Sequence, residues 1–355
     1  MEHSNSAPPW QGAVLAAVAC TLVGASFTAN SVLNDFPHAG GQAVRYALGC
    51  LLLLPLVGRG GLAPLRKLTR RGWVRLAVLA GIGMVGFNLA VLAAERTSEP
   101  AVPGVFVGCA PVVVAVLVPL ADGRRPARPV LFGALLVAAG ACAVQGWGRA
   151  DAQGIAWSLA ALVGEVAFAV LAVPVLRTVG PVLLSATACG LGAVEALGLA
   201  LVVDGGDWLR VPDGQETAAL LWQALVVTVI GFVCWYQGLH RIGPERATLF
   251  SGLIPVSAAL TAPAVGTGGF GLPQGVGSLL VGAGVAVGSG VLAARHRTGR
   301  GPVVASGPAH RTTAPTGTPE PAATGPAPAQ PATTPARAPG PPSESKDDTG
   351  RTPPP

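Results

Sequence analysis

Ten apolar stretches, each about as long as a bilayer is thick, dominate this sequence. They cover residues 11–33, 38–58, 73–94, 101–121, 128–147, 154–176, 181–203, 217–240, 246–265 and 272–294. A helix needs about 20 mostly apolar residues to cross roughly 30 Å of hydrocarbon. Because lipid offers the backbone no hydrogen-bond partner, such segments satisfy their peptide groups internally as helices. The sequence therefore predicts an all-α integral membrane protein with ten transmembrane helices, numbered in this order.

The charged residues agree with a membrane solvent and predict the orientation of the helices. They make up 11% of the chain, whereas soluble domains carry roughly 25%. With the N-terminus placed in the cytoplasm, fifteen Lys and Arg residues border the helices on the cytoplasmic side and three on the outer side. This asymmetry predicts that both termini are cytoplasmic. The net charge of +6 lies in these loops and in the C-terminal region, so nucleic-acid binding is not expected.

Residues 295–355 differ in kind from the rest of the chain. They contain fifteen prolines among Ala, Thr, Gly and Ser, and almost no large apolar residues. Such a composition cannot bury a core, so we expect a disordered tail. The predicted organisation is a short cytoplasmic N-terminus over 1–10, five-helix units over 11–148 and 154–294, and this tail.

The second half of the apolar region repeats the first. Five residues of helix four recur 144 positions later in helix nine: Pro100, Phe106, Gly108, Pro111 and Pro119. Helices one and six share a Gln-Gly pair that begins at Gln11 and Gln153, and helices three and eight share a Gly-Phe pair that begins at Gly86 and Gly231. Because each unit has an odd number of helices, the two units enter the membrane from opposite faces. Inverted repeats of this kind are typical of transporters with a substrate site near the midplane.

Several residues resemble the EamA-like group of the drug/metabolite transporter superfamily. They are Arg45 early in helix two, the helix-four pattern Ala101, Gly104, Phe106, Gly108 and Pro111, its echo up to Pro255, and the small-residue start of helix six at Gly154. The resemblance covers about residues 11–294. It implies a multi-pass carrier of the bacterial inner membrane, often an exporter of metabolites or toxic compounds, with both termini in the cytoplasm.

Three ionisable residues within the apolar stretches are the main candidates for the functional site. Glu165 and Glu195 lie near the centres of helices six and seven, and Arg45 lies about two turns inside helix two. A charge at such depth costs a few kcal/mol unless it is protonated or paired. The carboxyls are therefore candidates for proton coupling or for a cationic substrate, and Arg45 for pairing with either carboxyl or for an anionic substrate group. Alternatively, the carboxyls hydrogen-bond inside the bundle and Arg45 reaches the interface.

Four polar or aromatic residues are weaker candidates: Asn30, Asn88, Trp235 and Tyr236. Asn88, central in helix three, can bridge helices as readily as contact a substrate. Trp235 and Tyr236 can instead mark the membrane interface, where aromatic residues are common.

These observations favour a secondary active transporter of small molecules that works by alternating access. No GxxxxGK[ST] loop is present, so direct use of ATP is not expected, and no cofactor is predicted. Export of metabolites or drugs and coupling to protons or ions are left open. The alternatives are a membrane-embedded enzyme and a non-transporting scaffold, and a cavity-free bundle would favour the scaffold. Gly284 and Gly288 suit close helix packing or a homodimer.

Overall fold

The chain folds into a bundle of helices. The computed structural model describes residues 8–26, 32–33, 36–58, 60–99, 101–146, 148–265 and 269–290. The helices are α1 (Pro9–Ala25), α2 (His38–Val57), α3 (Arg70–Glu95), α4 (Ala101–Ala121), α5 (Arg128–Gln145), α6 (Ala152–Val179), α7 (Pro181–Val203), α8 (Gly214–Ile242), α9 (Leu253–Thr261) and α10 (Leu272–Gly288). Within these residues, the only β-type pairing recorded is an isolated bridge between Ser98 and Ala150.

Seven helices, α2 to α8, are long and apolar enough to cross a membrane. The apolar helices α1 and α10 have 17 residues each, a length of about 25 Å, and both end before the predicted positions 33 and 294. The tail over 295–355 lies outside the described residues. Over the described residues, the structure therefore confirms a helical protein with seven helices of membrane-spanning length.

The ninth predicted helix, over residues 246–265, is not one continuous helix. It is built from a helical turn at Pro244–Ala247, a 3₁₀ segment at Thr248–Gly252, the nine-residue α9 and a 3₁₀ segment at Ala262–Val265. Pro255 has no amide hydrogen to donate to the carbonyl of Ser251, which interrupts the helical ladder at this point. The structure therefore describes the apolar stretch predicted as helix nine as a series of short helical pieces.

The helix that the repeat pairs with this segment is interrupted at the equivalent position. Within α4, a turn at Cys109 separates Ala101–Gly108 from Ala110–Ala121. Cys109 precedes Pro111 by two residues, as Leu253, the first residue of α9, precedes Pro255. Both halves thus contain a broken helix at a matched proline.

A close packing of α5 on α10 shows how the halves are related. Gly277 and Gly284 lie 144 positions after Gly133 and Gly140. A Cβ placed on Gly133 would lie 2.6 Å from the carbonyl oxygen of Gly284, and one on Gly140 would lie 2.6 Å from that of Gly277. Gly133 thus faces Gly284, the counterpart of Gly140, and Gly140 faces Gly277, the counterpart of Gly133. Such a reciprocal pattern is the one that a two-fold axis produces. Along the contact, residue numbers increase in α5 while they decrease in α10, so these two equivalent helices run antiparallel.

The pair α2 and α7 repeats this arrangement at an offset of 143 residues. A Cβ on Gly49 would lie 3.5 Å from the Sγ of Cys189, and a Cβ on Gly192 would lie 3.4 Å from the ring of Tyr46. Gly192 and Cys189 are the counterparts of Gly49 and Tyr46. Two independent helix pairs therefore support the inverted two-fold relation that the sequence repeat predicts.

Helices α3 and α8 each contain a π-helical stretch. The stretches cover Gly81–Gly86 and Gln223–Gly231, and each ends at the Gly-Phe pair that the repeat matches. π-Helical turns widen a helix locally and are often found at functional sites. Both stretches contribute residues to the cavity described below.

Candidate functional site

A cavity of about 1180 Å³ lies between the two halves and is lined by residues from both. It reaches the exposed residues Glu95, Arg96 and Val203 at one end of the bundle, which also carries the α1–α2, α3–α4, α5–α6 and α7–α8 connections. We call this the open end. From there the cavity extends inward to Glu165 and Trp235.

Glu165 lies midway along the 28-residue helix α6, about 20 Å from either helix end. Its carboxyl forms no ion pair or hydrogen bond with any residue that the structure describes. The residue that matches it at the offset of 142 between α1 and α6 is Val23, which also lines the cavity. The matched positions of the two halves therefore contribute one carboxyl and one apolar side chain to the same cavity.

An aromatic cluster of Phe168, Phe232, Trp235 and Tyr236 lies beside this carboxyl. The ring centroid of Phe168, one helical turn after Glu165, lies 5.3 Å from that of Phe232, 5.5 Å from that of Tyr236 and 6.4 Å from that of Trp235. Phe168, Phe232 and Trp235 line the cavity, whereas Tyr236 is fully buried behind them. Neither the Trp235 indole nitrogen nor the Tyr236 hydroxyl has a hydrogen-bond partner among the described residues. Three rings of the cluster thus form an apolar wall of the cavity, and two polar atoms of the cluster have no hydrogen-bond partner in the described part of the chain.

Arg45 also lines the cavity but pairs with neither carboxyl. Its Nε donates to the Thr228 hydroxyl at 2.8 Å, and its Nη1 donates to the Gln42 side-chain oxygen at 3.4 Å. The guanidinium carbon lies 5.4 Å from the centre of the Tyr46 ring, within the range of a cation–π contact. The bond to Thr228 joins the two halves, because Arg45 belongs to the first half and Thr228 to the second.

Asn88 combines the two roles considered from the sequence. Its amide donates to the Met84 carbonyl at 2.7 Å and to the Tyr46 hydroxyl at 3.2 Å, so it links α3 to α2. It lines the cavity as well. Asn30 lies outside the described residues.

The structure separates Glu195 from the other candidates. Glu195 is not among the residues that line the cavity. Its Oε2 is buried without a hydrogen-bond partner in the described part of the chain, and a Cβ on Gly81 would lie 3.2 Å from this atom. Glu195 thus packs between α7 and α3, away from the chamber that contains Glu165.

Sequence reasoning missed three residues of this site: Gln42, Phe168 and Thr228. The spacing of Phe168 from Glu165 places both on one face of a helix and could have identified it. Nothing in the sequence distinguishes Thr228, because its importance comes from Arg45, which is 183 residues away.

The opposite end of the bundle, which carries the α2–α3, α4–α5 and α8–α9 connections, is closed by contacts between the halves. We call it the basic end. Arg124 donates to Glu245 at 2.9 Å, and Arg241 donates to the side chain of Gln11 at 2.9 Å. Each contact joins a residue of the first half to one of the second. These contacts close the basic end, whereas at the open end the halves meet beside the cavity, where the Gly40 N–H donates to Asp204 and Gln274 donates to the Val144 carbonyl.

Comparison with known proteins identifies the family. The EamA-like transporter family matches this chain over residues 10–145 and 152–289, once in each half. The chain is 23% identical to YetK, an uncharacterized transporter of Bacillus subtilis (strain 168), over 255 residues that cover 69% of this chain and 76% of YetK. It is 26% identical to YyaM, an uncharacterized transporter of the same strain, over 281 residues that cover 76% and 91%.

A solved crystal structure shares the fold, with a TM-score of 0.68 at 21% identity over 80% of this chain and 98% of the other. The family matches cover most of the chain, and the apolar helices supply the spans that such a protein requires. The chain therefore belongs to the EamA-like transporter family and is a multi-pass membrane transporter.

Proposed function

We propose that this protein is a secondary active transporter that carries small molecules by alternating access through its central cavity. The observation that carries the proposal is a carboxyl, Glu165, that lines a cavity between the two halves midway along α6 and has no ion-pair or hydrogen-bond partner in the described part of the chain. A cavity that reaches one end while an ion pair and a hydrogen bond join the halves at the other is what one state of such a cycle requires. A solid bundle, as expected for a scaffold, would lack this chamber.

The orientation of the cavity follows from the positions of the basic residues. Under the positive-inside rule, the basic end faces the cytoplasm and the open end faces outward. The structure then corresponds to an outward-open state, and the other state would separate the halves at the basic end. In this topology α1, the broken segment 244–265 and α10 complete ten spans across the bacterial inner membrane, with both termini and the tail in the cytoplasm.

The broken helices α4 and α9 are suited to the movement between these states. Gly104 of α4 and Ala258 of α9 both line the cavity at the open end. At the basic end, the turn Pro244–Ala247 packs on α4. Rocking about the interrupted positions near Pro111 and Pro255 would exchange which end is separated.

Coupling to protons is assigned to Glu165. A carboxyl without a partner in a low-dielectric site favours its neutral form unless a cation is near, so binding of one species displaces the other. A proton gradient can drive export in this way when protons enter as substrate leaves.

Proteoliposomes that contain the purified protein and an internal pH-sensitive dye test this proposal. A panel of amines, amino acids and sugars would be added in turn, and at least one class should cause a proton flux with wild-type protein. Glu165→Gln should abolish that flux because it removes the titrating group, whereas Glu99→Gln should leave it intact. Glu99 is exposed and is not among the residues that line the cavity. Equal fluxes with wild type and Glu165→Gln would remove Glu165 from the mechanism.

A further inference from the structure

We infer that the substrate is a monovalent organic cation with an aromatic or other flat apolar body, bound with its charge beside Glu165 and its body on the aromatic cluster. This inference rests on the proposed function, since it names the class of molecule that occupies the central cavity. Three features of the cavity support it: its charge distribution, the placement of its aromatic rings and its backbone acceptors.

The inner part of the cavity contains one carboxyl, Glu165, which has no ion-pair or hydrogen-bond partner among the residues that the structure describes. The other titratable or charged residues that line the cavity are Cys20, His38, Arg45, Tyr46, Glu95, Arg96 and Asp204. His38, Glu95, Arg96 and Asp204 lie at the helix ends near the open end. Asp204 already accepts the backbone N–H of Gly40 at 2.9 Å, and the positively charged Arg45 donates to the neutral side chains of Thr228 and Gln42 and to neither carboxyl of the candidate pair. An unpaired buried charge is costly, and a cationic ligand would remove that cost.

Aromatic side chains of α3, α6 and α8 line the cavity together with this carboxyl. Phe168 of α6 stacks with Trp235 of α8 at an interplanar angle of 16°. From α3, the Cβ of Phe87 lies only 3.0 Å from where a Cβ on Gly164 would stand, next to Glu165, and Phe87 lines the cavity. The negative faces of aromatic rings attract organic cations, and Trp attracts them most strongly. A carboxylate with several rings is the combination that recognises an ammonium or phosphonium group on an apolar body.

The broken segment before α9 contributes Ser251 and Pro255 to the same chamber. Because Pro255 has no amide hydrogen, the carbonyl of Ser251 accepts instead from the backbone N–H of Leu253, outside the regular helical ladder. Unwound carbonyls in transporters coordinate cations. The cavity volume of about 1180 Å³ is at the upper end of ligand pockets, roughly 300–1,000 Å³, which suits a drug-sized cation better than a bare ion.

Binding of such a cation would exchange for a proton on one carboxyl. The protonated Glu165 releases one proton as one monovalent cation binds, so the charge of the site is the same in both loaded forms. No bond other than the carboxyl O–H breaks or forms. This exchange predicts competition between substrate and protons, and one proton should return for each cation that leaves.

Tetraphenylphosphonium is the probe of choice, because its positive charge does not depend on pH. Equilibrium binding of the radiolabelled ion to the purified full-length protein should be saturable and should weaken as the pH falls. Glu165→Gln should reduce affinity by roughly thirtyfold or more, as expected when one member of a buried charge pair is removed. Glu165→Asp keeps the charge and should retain measurable binding, which controls for misfolding of the glutamine variant. Glu99→Gln should bind like wild type.

The outcomes separate this inference from the proposed function. Wild-type protein that fails to bind tetraphenylphosphonium, or binds it equally well as Glu165→Gln, overturns the cation inference. If phenylalanine or the neutral triphenylphosphine oxide instead drives a Glu165-dependent proton flux, the substrate class is wrong and the transporter mechanism stands. The proposed function itself would be refuted only if no compound in the vesicle panel caused a proton flux.

Discussion

Substitution of Gly284 by alanine tests the contact that defines the two-fold relation of the halves. A Cβ on Gly284 would lie 2.5 Å from the carbonyl oxygen of Gly133 and 2.8 Å from the backbone nitrogen of Val137. Ordinary van der Waals contact begins at 3.4 Å, so α10 would have to move away from α5 by nearly 1 Å. Because backbone atoms form the obstacle, no side-chain rotation can relieve it.

Gly282→Ala is a matched control on the same helix. A Cβ on Gly282 would have no neighbour within 4 Å. The gain in helix propensity from glycine to alanine, about 1 kcal/mol, applies to both variants and cancels in the comparison. The difference in their free energy of unfolding is then the cost of overpacking, about 1–3 kcal/mol.

The measurement is reversible unfolding of both variants in mixed micelles of mild detergent and SDS, followed by circular dichroism. Gly284→Ala should unfold at a lower SDS fraction than wild type, and Gly282→Ala at an equal or higher fraction. If the two variants unfold together, α5 and α10 do not approach at Gly133 and Gly284, and the argument for an inverted two-fold bundle loses its closest contact.

Two further substitutions address the contacts between the halves. Glu245→Gln breaks the ion pair with Arg124, whose side chain is 54% exposed, so the pair contributes only weakly to stability. We expect the population open at the basic end to rise by up to about fivefold, measured by spin-label distances across that end, and an unchanged distance distribution would contradict it. Thr228→Val removes the acceptor of Arg45 Nε without a change in shape and should lower the unfolding free energy by about 1–3 kcal/mol. Thr228→Ser, which keeps the hydroxyl, should behave as wild type, and equal loss in both variants would show that packing and not the hydrogen bond matters.

The inverted repeat was predictable because it is encoded in residues that the backbone geometry requires. Glycines at matched positions allow α5 and α10 to approach, and matched prolines interrupt the two equivalent helices, so both survive as identities at a fixed offset. The positions at which helix nine is interrupted were not predictable in the same way. Hydropathy reports whether a segment is apolar, and a broken segment such as 244–265 is as apolar as a continuous helix.

The rotation of each helix was also beyond the sequence, and this explains the two carboxyls. Glu165 and Glu195 occupy similar central positions in neighbouring apolar helices. In a soluble protein, the polar face of a helix reveals which side points inward. A membrane helix is apolar on its lipid side and largely apolar on its packed side, so the pattern does not show that one carboxyl faces the cavity and the other faces α3.

The backbone of this transporter is close to two-fold symmetric, whereas its charges are not. A symmetric scaffold alone would make the outward-open and inward-open states equal in energy. At the offset of 144, Glu245 corresponds to Ala101 and Arg124 to Gly268, neither of which can form an ion pair. In the proposed cycle, the Arg124–Glu245 pair would stabilise the state that is closed at the basic end, and no equivalent ion pair would stabilise the other. Likewise Val23 stands where a second Glu165 would be, so both states would present the same single carboxyl in turn. Under this proposal the repeat supplies the two states, and the side chains that it does not duplicate decide which state is favoured and what binds.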